Sequence, residues 1–463
     1  MKRIISPLLL LERNTIMKRN LKSKSALGVM AALLAIVCCA SVRADEITDW
    51  NKRAQQALLT ANTSPPASAR VLAIVQVAVF DAVNGIERRY TPIQVDFEAP
   101  QGASRRAAAV QAAYATLVKL LPSQKATFDA AREESLNSIA SDEAAEDSES
   151  IARGIAWGQQ VADDILLWRS TDGFTPAPPP FMGGTGVGEW RPTPPGFLPG
   201  AGPHFGHMTP WALNSGSQFR PSGPPDLASA EYAADFDEVK MIGDKNSTIR
   251  TADQTEIAFF WNGNTPVAWN SVALSVAEAR HTSFSQNARL LALLNIAMAD
   301  AVISCWDAKY TYVFWRPITA IRLASTDTNP ATTEDAGWTP LLVTPNFPEY
   351  PSGHATVSPA AATVLSAYFG NDNEFTLISE ILPGDVRSYS SFSQAVDEAF
   401  DARIYGGIHF RAACRDGRVM GNQLGSFIVG NVAQSLHGQR KGQINHNHPP
   451  GEINGDGEPG TND

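Results

Sequence analysis

Apolar residues recur at helical spacing along most of this chain, and this pattern restricts the fold more than any other feature. Val71, Ile74, Val75 and Ala78 lie on one face after a Pro-Pro pair, and a second apolar stripe covers residues 290–301. Strand signals are scarce, because no alternating run of β-branched residues is longer than about five. The sequence therefore predicts an all-α protein built from helical bundles.

The composition is typical of a folded globular protein. The chain has 463 residues, of which 44% are hydrophobic and 18% are charged. Four cysteines are too few for a disulfide-dense scaffold. One long apolar run stands near the N-terminus, so the pattern argues against a membrane protein with several spanning helices.

The first 44 residues are typical of a secretory signal peptide. Lys and Arg residues between positions 18 and 24 precede an apolar run at 26–40, and small residues then lead to Ala44. We expect cleavage after Ala44 and a secreted or periplasmic protein, with a short membrane anchor as the alternative. Met17 stands where such a peptide would normally start.

Charge and cysteine usage limit the partners of the mature chain. Residues 1–44 carry a net charge of +7, so their removal takes the formal charge from −10 to −17. A protein this acidic repels nucleic acid and anionic membrane surfaces, and we expect neither as a partner. Cys305 and Cys414 remain after cleavage, and the sequence leaves open whether they pair or stay as buried thiols. It also leaves open a homo-oligomer.

The mature chain divides into four segments. Residues 45–172 and 226–436 form two helical halves, and we expect the tail at 437–463 to be disordered. Residues 173–225 contain 13 Pro, 11 Gly and seven large aromatic residues, which indicates an ordered surface loop over a site. His204 and His207 in this loop have a spacing that could suit a metal, although two solvated histidines fit equally well.

Two cations are seven residues apart in the first of three short polar segments. Lys309 and Arg316 would share one face of a helix at this spacing, and Pro317 constrains the backbone immediately afterwards. Trp306 and Phe314 lie beside them. Two cations snorkelling to water would give the same pattern.

The second segment contains Ser352, Gly353 and His354, followed by an Ala-rich helical stretch. Backbone N–H groups at the start of a helix favour an anion, and a glycine there lets an oxyanion approach the backbone. The histidine can transfer a proton near neutral pH. An ordinary serine cap with an incidental histidine is the alternative.

Arg403 and His409 mark the third segment. On an unbroken helix these two residues would point in different directions, but Gly406 and Gly407 can break the helix and bring both side chains to one point. Taken alone, the segment could be a Gly-rich turn with surface charges. The three segments together supply three cations, two histidines and a helix N-terminus, and this set predicts a site for a tetrahedral or trigonal-bipyramidal oxyanion.

The order and spacing of these segments resemble a known signature. Lys-x6-Arg-Pro, Pro-Ser-Gly-His and Arg-x5-His are similar to the motifs shared by type 2 phosphatidic acid phosphatases and vanadium-dependent haloperoxidases. The resemblance covers residues 284–425 closely, and the segment Val77–Ile86 more weakly. It implies the all-α bundle fold of vanadium chloroperoxidase and acid phosphatases. The flanking aromatic residues resemble the soluble bacterial haloperoxidase-like branch.

The resemblance also implies a role for each residue. His409 would bind the vanadium of a vanadate cofactor, and His354 would act as the acid–base group when peroxide binds. The oxyanion would be held by Lys309, Arg316, Ser352, Gly353 and Arg403. Trp306 and Phe347 would line a halide pocket, and the substrates would be hydrogen peroxide and a halide that the sequence does not specify.

One position departs from the family pattern. The family usually places an aspartate four residues after the metal-binding histidine, where this chain has Ala413. Asp300, Asp307 or a backbone carbonyl could take its place. The sequence therefore leaves three functions open: a vanadate-dependent haloperoxidase, an acid phosphatase in which His409 attacks a phosphate ester, and a non-catalytic oxyanion-binding protein.

Overall fold

A computed structural model describes residues 45–142 and 146–436, and the part it describes is almost entirely helical. The predicted signal peptide at 1–44 and the predicted disordered tail at 437–463 lie outside these residues. The all-α prediction is confirmed. Among the described residues, the only strands form one antiparallel hairpin, β1 (Phe375–Ile378) and β2 (Val386–Tyr389).

Five α-helices form the first half of the described chain. They are α1 (Glu46–Thr60), α2 (Pro65–Glu87), α3 (Arg105–Leu120), α4 (Lys125–Ser141) and α5 (Ser148–Trp168). Eight more follow in the second half: α6 (Ala230–Ile242), α7 (Ala252–Phe260), α8 (Thr265–Ala279), α9 (Phe284–Tyr312), α10 (Pro317–Arg322), α11 (His354–Phe369), α12 (Phe392–Tyr405) and α13 (Arg411–Asn431).

Helices α2 and α9 pack against each other and form the centre of the molecule. Pro65 and Pro66 start α2, where proline is well tolerated, and Ser283 with Gln286 forms a capping box at the start of α9. Both helices are long and apolar enough to cross a membrane, but 89% and 94% of their apolar stretches are buried inside the protein. Such burial is typical of core helices.

In each half, two helices pack closely against each other at glycine positions. On α5, a Cβ at Gly158 would lie 2.3 Å from the carbonyl oxygen of Ala108 in α3. On α13, a Cβ at Gly421 would lie 2.2 Å from the carbonyl oxygen of Thr356 in α11. Small residues at these crossings let the backbones touch. The α11–α13 crossing lies directly behind the start of α11, and it therefore fixes where that helix begins.

A buried aspartate on each central helix holds a neighbouring loop. Asp81 of α2 accepts backbone N–H groups from residues 93–95, and Asp300 of α9 accepts them from residues 211–213. Both side chains are fully buried. Burial raises the pKa of each carboxyl group to about 6, although the backbone hydrogen bonds oppose this change.

Residues 173–225 contain one short 3₁₀ turn, at Pro203–His207, and otherwise lack regular structure. The segment packs against the end of α9, where the carbonyl oxygen of Ala201 accepts hydrogen bonds from Trp306 Nε1 at 3.2 Å and Tyr310 Oη at 2.7 Å. His204 stacks near Phe205. Within the described residues, no group of three or more His, Cys, Asp or Glu side chains is arranged to hold a metal ion.

Candidate active site

The first polar segment does not form one continuous helical face. Helix α9 ends at Tyr312, and Val313 adopts a left-handed conformation with φ of 47°. Arg316 lies beyond this break, with extended backbone, as the residue that precedes α10. The prediction that Lys309 and Arg316 share a helix face is therefore wrong, because the helix ends between them.

Lys309 is fully buried, and its ammonium group donates hydrogen bonds to the backbone. Its Nζ donates to the carbonyl oxygens of Pro348 and Glu349, both at 2.9 Å, and of Pro351 at 2.5 Å. Three acceptors match the three protons of an ammonium ion. Lys309 thus fixes the loop before the Ser-Gly-His segment and supplies a positive charge behind it.

Arg316 spans two segments and contacts the predicted metal-binding histidine. Its Nε donates to the carbonyl oxygen of Phe347 at 2.9 Å, and its Nη1 donates to that of Ile408 at 2.8 Å. Nη1 also lies 3.1 Å from Nε2 of His409. Nη2 is buried and has no hydrogen-bond partner in the structure.

The Ser-Gly-His segment stands at a helix N-terminus, as predicted from the sequence. Helix α11 begins at His354 with Gly353 as its cap, and Ser352 N donates to the carbonyl oxygen of Ala413 at 3.0 Å. The His354 ring is held by the backbone of the 261–263 turn, and its Nε2 is buried without a partner. A Cβ added to Gly353 would have the Trp306 ring as its nearest neighbour, at 3.6 Å.

The glycine pair breaks the helix between Arg403 and His409, as the sequence predicts. Helix α12 ends at Tyr405, and Gly407 adopts φ of +72°, a conformation that favours glycine. A Cβ at Gly407 would also lie 2.4 Å from the carbonyl oxygen of Gly243. The break brings the side chains of Arg403 and His409 into one cavity.

Arg403 is anchored by the turn that also holds His354. Its Nη1 donates to the carbonyl oxygen of Trp261 at 2.9 Å, and its Nη2 lies 3.5 Å from Oδ1 of Asn262. Its Nε is buried and has no partner. The turn at 261–263 was not identified from the sequence, since no charged or catalytic residue type marks it.

A carboxylate that sequence reasoning missed contacts His409. Glu349 is fully buried, and its Oε1 lies 2.9 Å from Nδ1 of His409 and accepts the backbone N–H of Phe410 at 2.9 Å. The candidates proposed for this role lie elsewhere: Asp300 holds the 211–213 loop, and Asp307 pairs with Arg220. The one sequence signal was the position of Glu349, three residues before Ser352.

Burial dominates the electrostatics of the site. It lowers the pKa of Lys309 to about 7 and those of Arg316 and Arg403 to about 10. It also places the pKa values of His354 and His409 well below the usual range, and nearby cations lower them further. The pKa of Glu349 rises to about 7 because burial outweighs the attraction of Arg316 and Lys309. Both histidines are therefore neutral at neutral pH.

Gly353, His354, Arg403 and His409 line a cavity of about 90 Å³. Trp306 and Phe347 line it, with ring centroids 5.1 Å apart, and the Arg316 guanidinium lies 4.8 Å from the Phe347 centroid. Much of the remaining wall is apolar and comes from distant segments, including Pro65, Pro66, Pro266, Val302, Pro345 and Val357. Lys309, Arg316 and Ser352 are buried and do not line the cavity. Cys305 and Cys414 are buried near the site as free thiols.

The arrangement fits a tetrahedral oxyanion. Buried polar atoms without partners are uncommon in folded proteins and call for an explanation. Arg316 Nη2 and Arg403 Nε can only donate hydrogen bonds, whereas the oxygens of vanadate or phosphate accept them. Nε2 of His354 is buried without a hydrogen-bond partner and could exchange a proton with such an oxygen. The fold and the pocket thus define a helical protein with a buried cavity beside cationic side chains.

Comparison with known proteins assigns the family. Residues 289–438 match the family model of the VCPO second helical-bundle domain. A bacterial vanadium-dependent iodoperoxidase of known structure is 30% identical, with a TM-score of 0.73 over 84% of this chain and 97% of that chain. The chain belongs to the superfamily of vanadium-dependent haloperoxidases and type 2 phosphatidic acid phosphatases, in the bacterial haloperoxidase-like branch.

Two further relatives agree with this assignment. The vanadium chloroperoxidase of Curvularia inaequalis is 27% identical over 203 residues, a match that covers 36% of this chain and 32% of that protein. The chain thus spans about a third of this curated relative. The holo-type bacterial vanadium-dependent chloroperoxidase is 16% identical, with a TM-score of 0.62 over 79% of this chain and 92% of that chain. That last likeness shows a shared fold.

Proposed function

We propose that this protein is a vanadate-dependent haloperoxidase, which oxidises a halide with hydrogen peroxide. The observation that carries the proposal is that three residues near His409 each have a buried polar atom without a partner, namely Arg316 Nη2, Arg403 Nε and His354 Nε2. A bound oxyanion would satisfy all three. The relatives that combine this fold with vanadium support the choice of vanadate.

Each residue of the pocket would have its own role in holding such a group. His409 Nε2 would be the ligand to vanadium, and Arg316 and Arg403 would donate hydrogen bonds to the oxygens. Gly353 would present its backbone N–H at the start of α11, and Lys309 would contribute charge from behind. When bound, vanadate supplies Lewis-acid activation of hydrogen peroxide.

His354 would move the proton that this chemistry requires. Its ring is neutral because burial and Arg403 lower its pKa, so Nε2 can accept a proton from peroxide. The backbone of Trp261 and Gly263 lies beside the ring. A base held in this way is suited to take a proton and return it within one turnover.

The size and lining of the cavity favour peroxide and halide as substrates. At about 90 Å³, it is well below the roughly 300–1,000 Å³ of pockets for drug-sized molecules. An ion that enters the apolar part must give up water, and this cost falls as the ionic radius increases. We therefore propose that the enzyme oxidises iodide and bromide more readily than chloride. The iodoperoxidase relative supports this order.

An acid phosphatase is the second candidate, because the same geometry could serve it. Glu349 at Nδ1 would keep Nε2 of His409 unprotonated and able to attack phosphorus, with His354 as the group that protonates the leaving group. The small cavity argues against large esters. The non-catalytic alternative loses its main argument, since Glu349 contacts the ring despite alanine at position 413.

Paired assays of the chain from Asp45 onward, with and without added vanadate, test the proposal. Halogenation of a reporter dye that needs peroxide, halide and vanadate together is the expected result, with kcat/KM highest for iodide. Hydrolysis of a small phosphate ester, inhibited by vanadate, would instead establish the phosphatase. If the folded protein shows neither activity, the enzyme proposal is wrong. We also propose that the enzyme acts after export, as the 1–44 segment predicts.

A further inference from the structure

Glu349 and His409 contact each other in the interior of the protein. Neither residue exposes more than a trace of surface, and Oε1 of Glu349 lies 2.9 Å from Nδ1 of His409. The same oxygen accepts the N–H of Phe410, the next residue along the chain. One carboxylate oxygen thus holds both the ring of His409 and the backbone beside it.

A second contact fixes which nitrogen of His409 carries the proton. Nε2 lies 3.1 Å from Nη1 of Arg316, and a guanidinium group can only donate hydrogen bonds. Nε2 must therefore accept, and the proton of the neutral ring must stand on Nδ1, where it points at Glu349. Two independent neighbours select the same tautomer, in which Nε2 carries no proton and accepts from Arg316 in the anion-free protein.

Glu349 is itself held firmly in position. The ammonium group of Lys309 binds the carbonyl oxygens of Pro348, Glu349 and Pro351, so three hydrogen bonds tie down the loop that carries the carboxylate. The N–H of Glu349 donates to the carbonyl oxygen of Phe314 at 2.9 Å. A carboxylate on such a restrained backbone can fix the direction of a ring that it contacts.

We infer that Glu349 is the positioning residue of His409, and that it acts through the Nδ1 hydrogen bond to keep Nε2 unprotonated and aimed at the bound oxyanion. It takes this role from the loop before Ser352, because the helix position four residues after His409 carries Ala413. The inference rests on the proposed function only in naming vanadate as the anion. The tautomer itself can be observed in the free protein.

Vanadate affinity, measured by calorimetric titration of the chain from Asp45 onward, gives the first test. Removing an outer partner of a metal-binding histidine typically weakens metal affinity by about 10–100-fold. We expect a loss in this range for Glu349→Ala and a smaller loss for Glu349→Gln, which keeps an acceptor oxygen without the charge. In a His409→Ala background, Glu349→Gln should have little further effect, because its partner is already absent.

Asp81→Asn is the matched control. Asp81 is equally buried and also accepts backbone N–H groups, but it lies on α2 and does not contact His409. The Asp81→Asn substitution should lower the melting temperature without changing the affinity for vanadate. If Glu349→Gln does the same and no more, the role of Glu349 is structural and the inference is wrong. Absence of vanadate binding in the unmodified protein would instead overturn the proposed function.

Nuclear magnetic resonance of ¹⁵N-histidine in the unmodified, vanadate-free protein provides a test that does not depend on how the variants fold. We expect the His409 ring to carry its proton on Nδ1, with assignment from the signals that disappear in His409→Ala. Partial conversion to the other tautomer is expected in Glu349→Ala. A proton on Nε2 in the unmodified protein would overturn the inference, whatever its affinity for vanadate.

Discussion

The two histidines of the cavity differ in what faces their ring nitrogens, and this difference separates their roles. Nδ1 of His409 meets a carboxylate, so its Nε2 is prepared to bind a metal or to attack phosphorus. We expect His409→Ala to abolish vanadate-dependent activity, while circular dichroism shows the same helical content. His207→Ala, at an exposed position, is the control and should keep full activity. Undiminished turnover by folded His409→Ala would contradict the assignment.

His354 lines the cavity and lies beside the backbone of Trp261 and Gly263. Replacement by alanine removes proton transfer but leaves Arg316 and Arg403 in place to bind the anion. We expect His354→Ala to lower turnover by about 10²–10⁴-fold, with vanadate affinity changed much less. Steady-state kinetics and calorimetric titration of the same preparation measure both quantities. If His354→Ala weakens vanadate affinity but keeps normal turnover at saturating vanadate, this role is excluded.

For individual residues, the sequence predicted those site side chains that belong to short local motifs. Arg403 and His409 could be linked because the glycine pair between them shows where the helix breaks. Glu349 and the 261–263 turn could not be linked to the site, because their contacts join segments 60 residues or more apart. No local rule relates such positions. Only the folded chain brings the carboxylate to the histidine.

Among the secondary-structure elements, the crossing of α11 and α13 sets the position of the site. A methyl group at Gly421 would lie 2.2 Å from the carbonyl oxygen of Thr356, so the two helices must separate to admit it. We expect Gly421→Ala to lower the free energy of unfolding by roughly 1–3 kcal/mol. It should also reduce vanadate affinity, because Ser352, Gly353 and His354 move with α11.

Gly430 on the same helix provides the control for this prediction. No atom lies within 4 Å of a Cβ placed there, so alanine gains helix propensity without a clash. Gly430→Ala should be neutral, or more stable by up to about 1 kcal/mol, and should bind vanadate normally. Denaturant unfolding of both variants makes the comparison. Equal stability of the two would mean that the crossing is looser than described.

Helix periodicity predicted the elements better than their ends. The apolar stripes at 71–78 and 290–301 both lie in core helices, α2 and α9. The spacing of Lys309 and Arg316 predicts a helix that continues past the observed end of α9, because nothing in Tyr312 or Val313 marks a helix terminus. The left-handed turn at Val313 is instead held by a segment distant in sequence, since Trp190 N donates to the Val313 carbonyl and Trp315 N to that of Gly188. Trp190 and Gly188 both belong to the long loop at 173–225.

At the scale of the whole molecule, the cationic pocket lies where several segments converge, and its charges repel one another until an anion binds. Lys309, Arg316 and Arg403 are all buried, with Glu349 as the carboxylate against them. This repulsion therefore destabilises the anion-free protein, and a bound oxyanion would relieve it. Binding to the folded state alone must raise stability, by roughly 2.7 kcal/mol at 100 times the dissociation constant.

We accordingly expect vanadate and phosphate to raise the melting temperature of the chain from Asp45 onward, and phosphate to compete with vanadate for the same donors. Arg403→Ala should remove most of this rise, because it deletes a donor whose Nε is otherwise unpaired. Arg415→Ala, at an exposed arginine outside the cavity, should leave the rise unchanged. Thermal scans over a range of anion concentrations measure the effect. A melting temperature indifferent to millimolar vanadate and phosphate would mean that the pocket does not bind oxyanions, and the proposed function would fail with it.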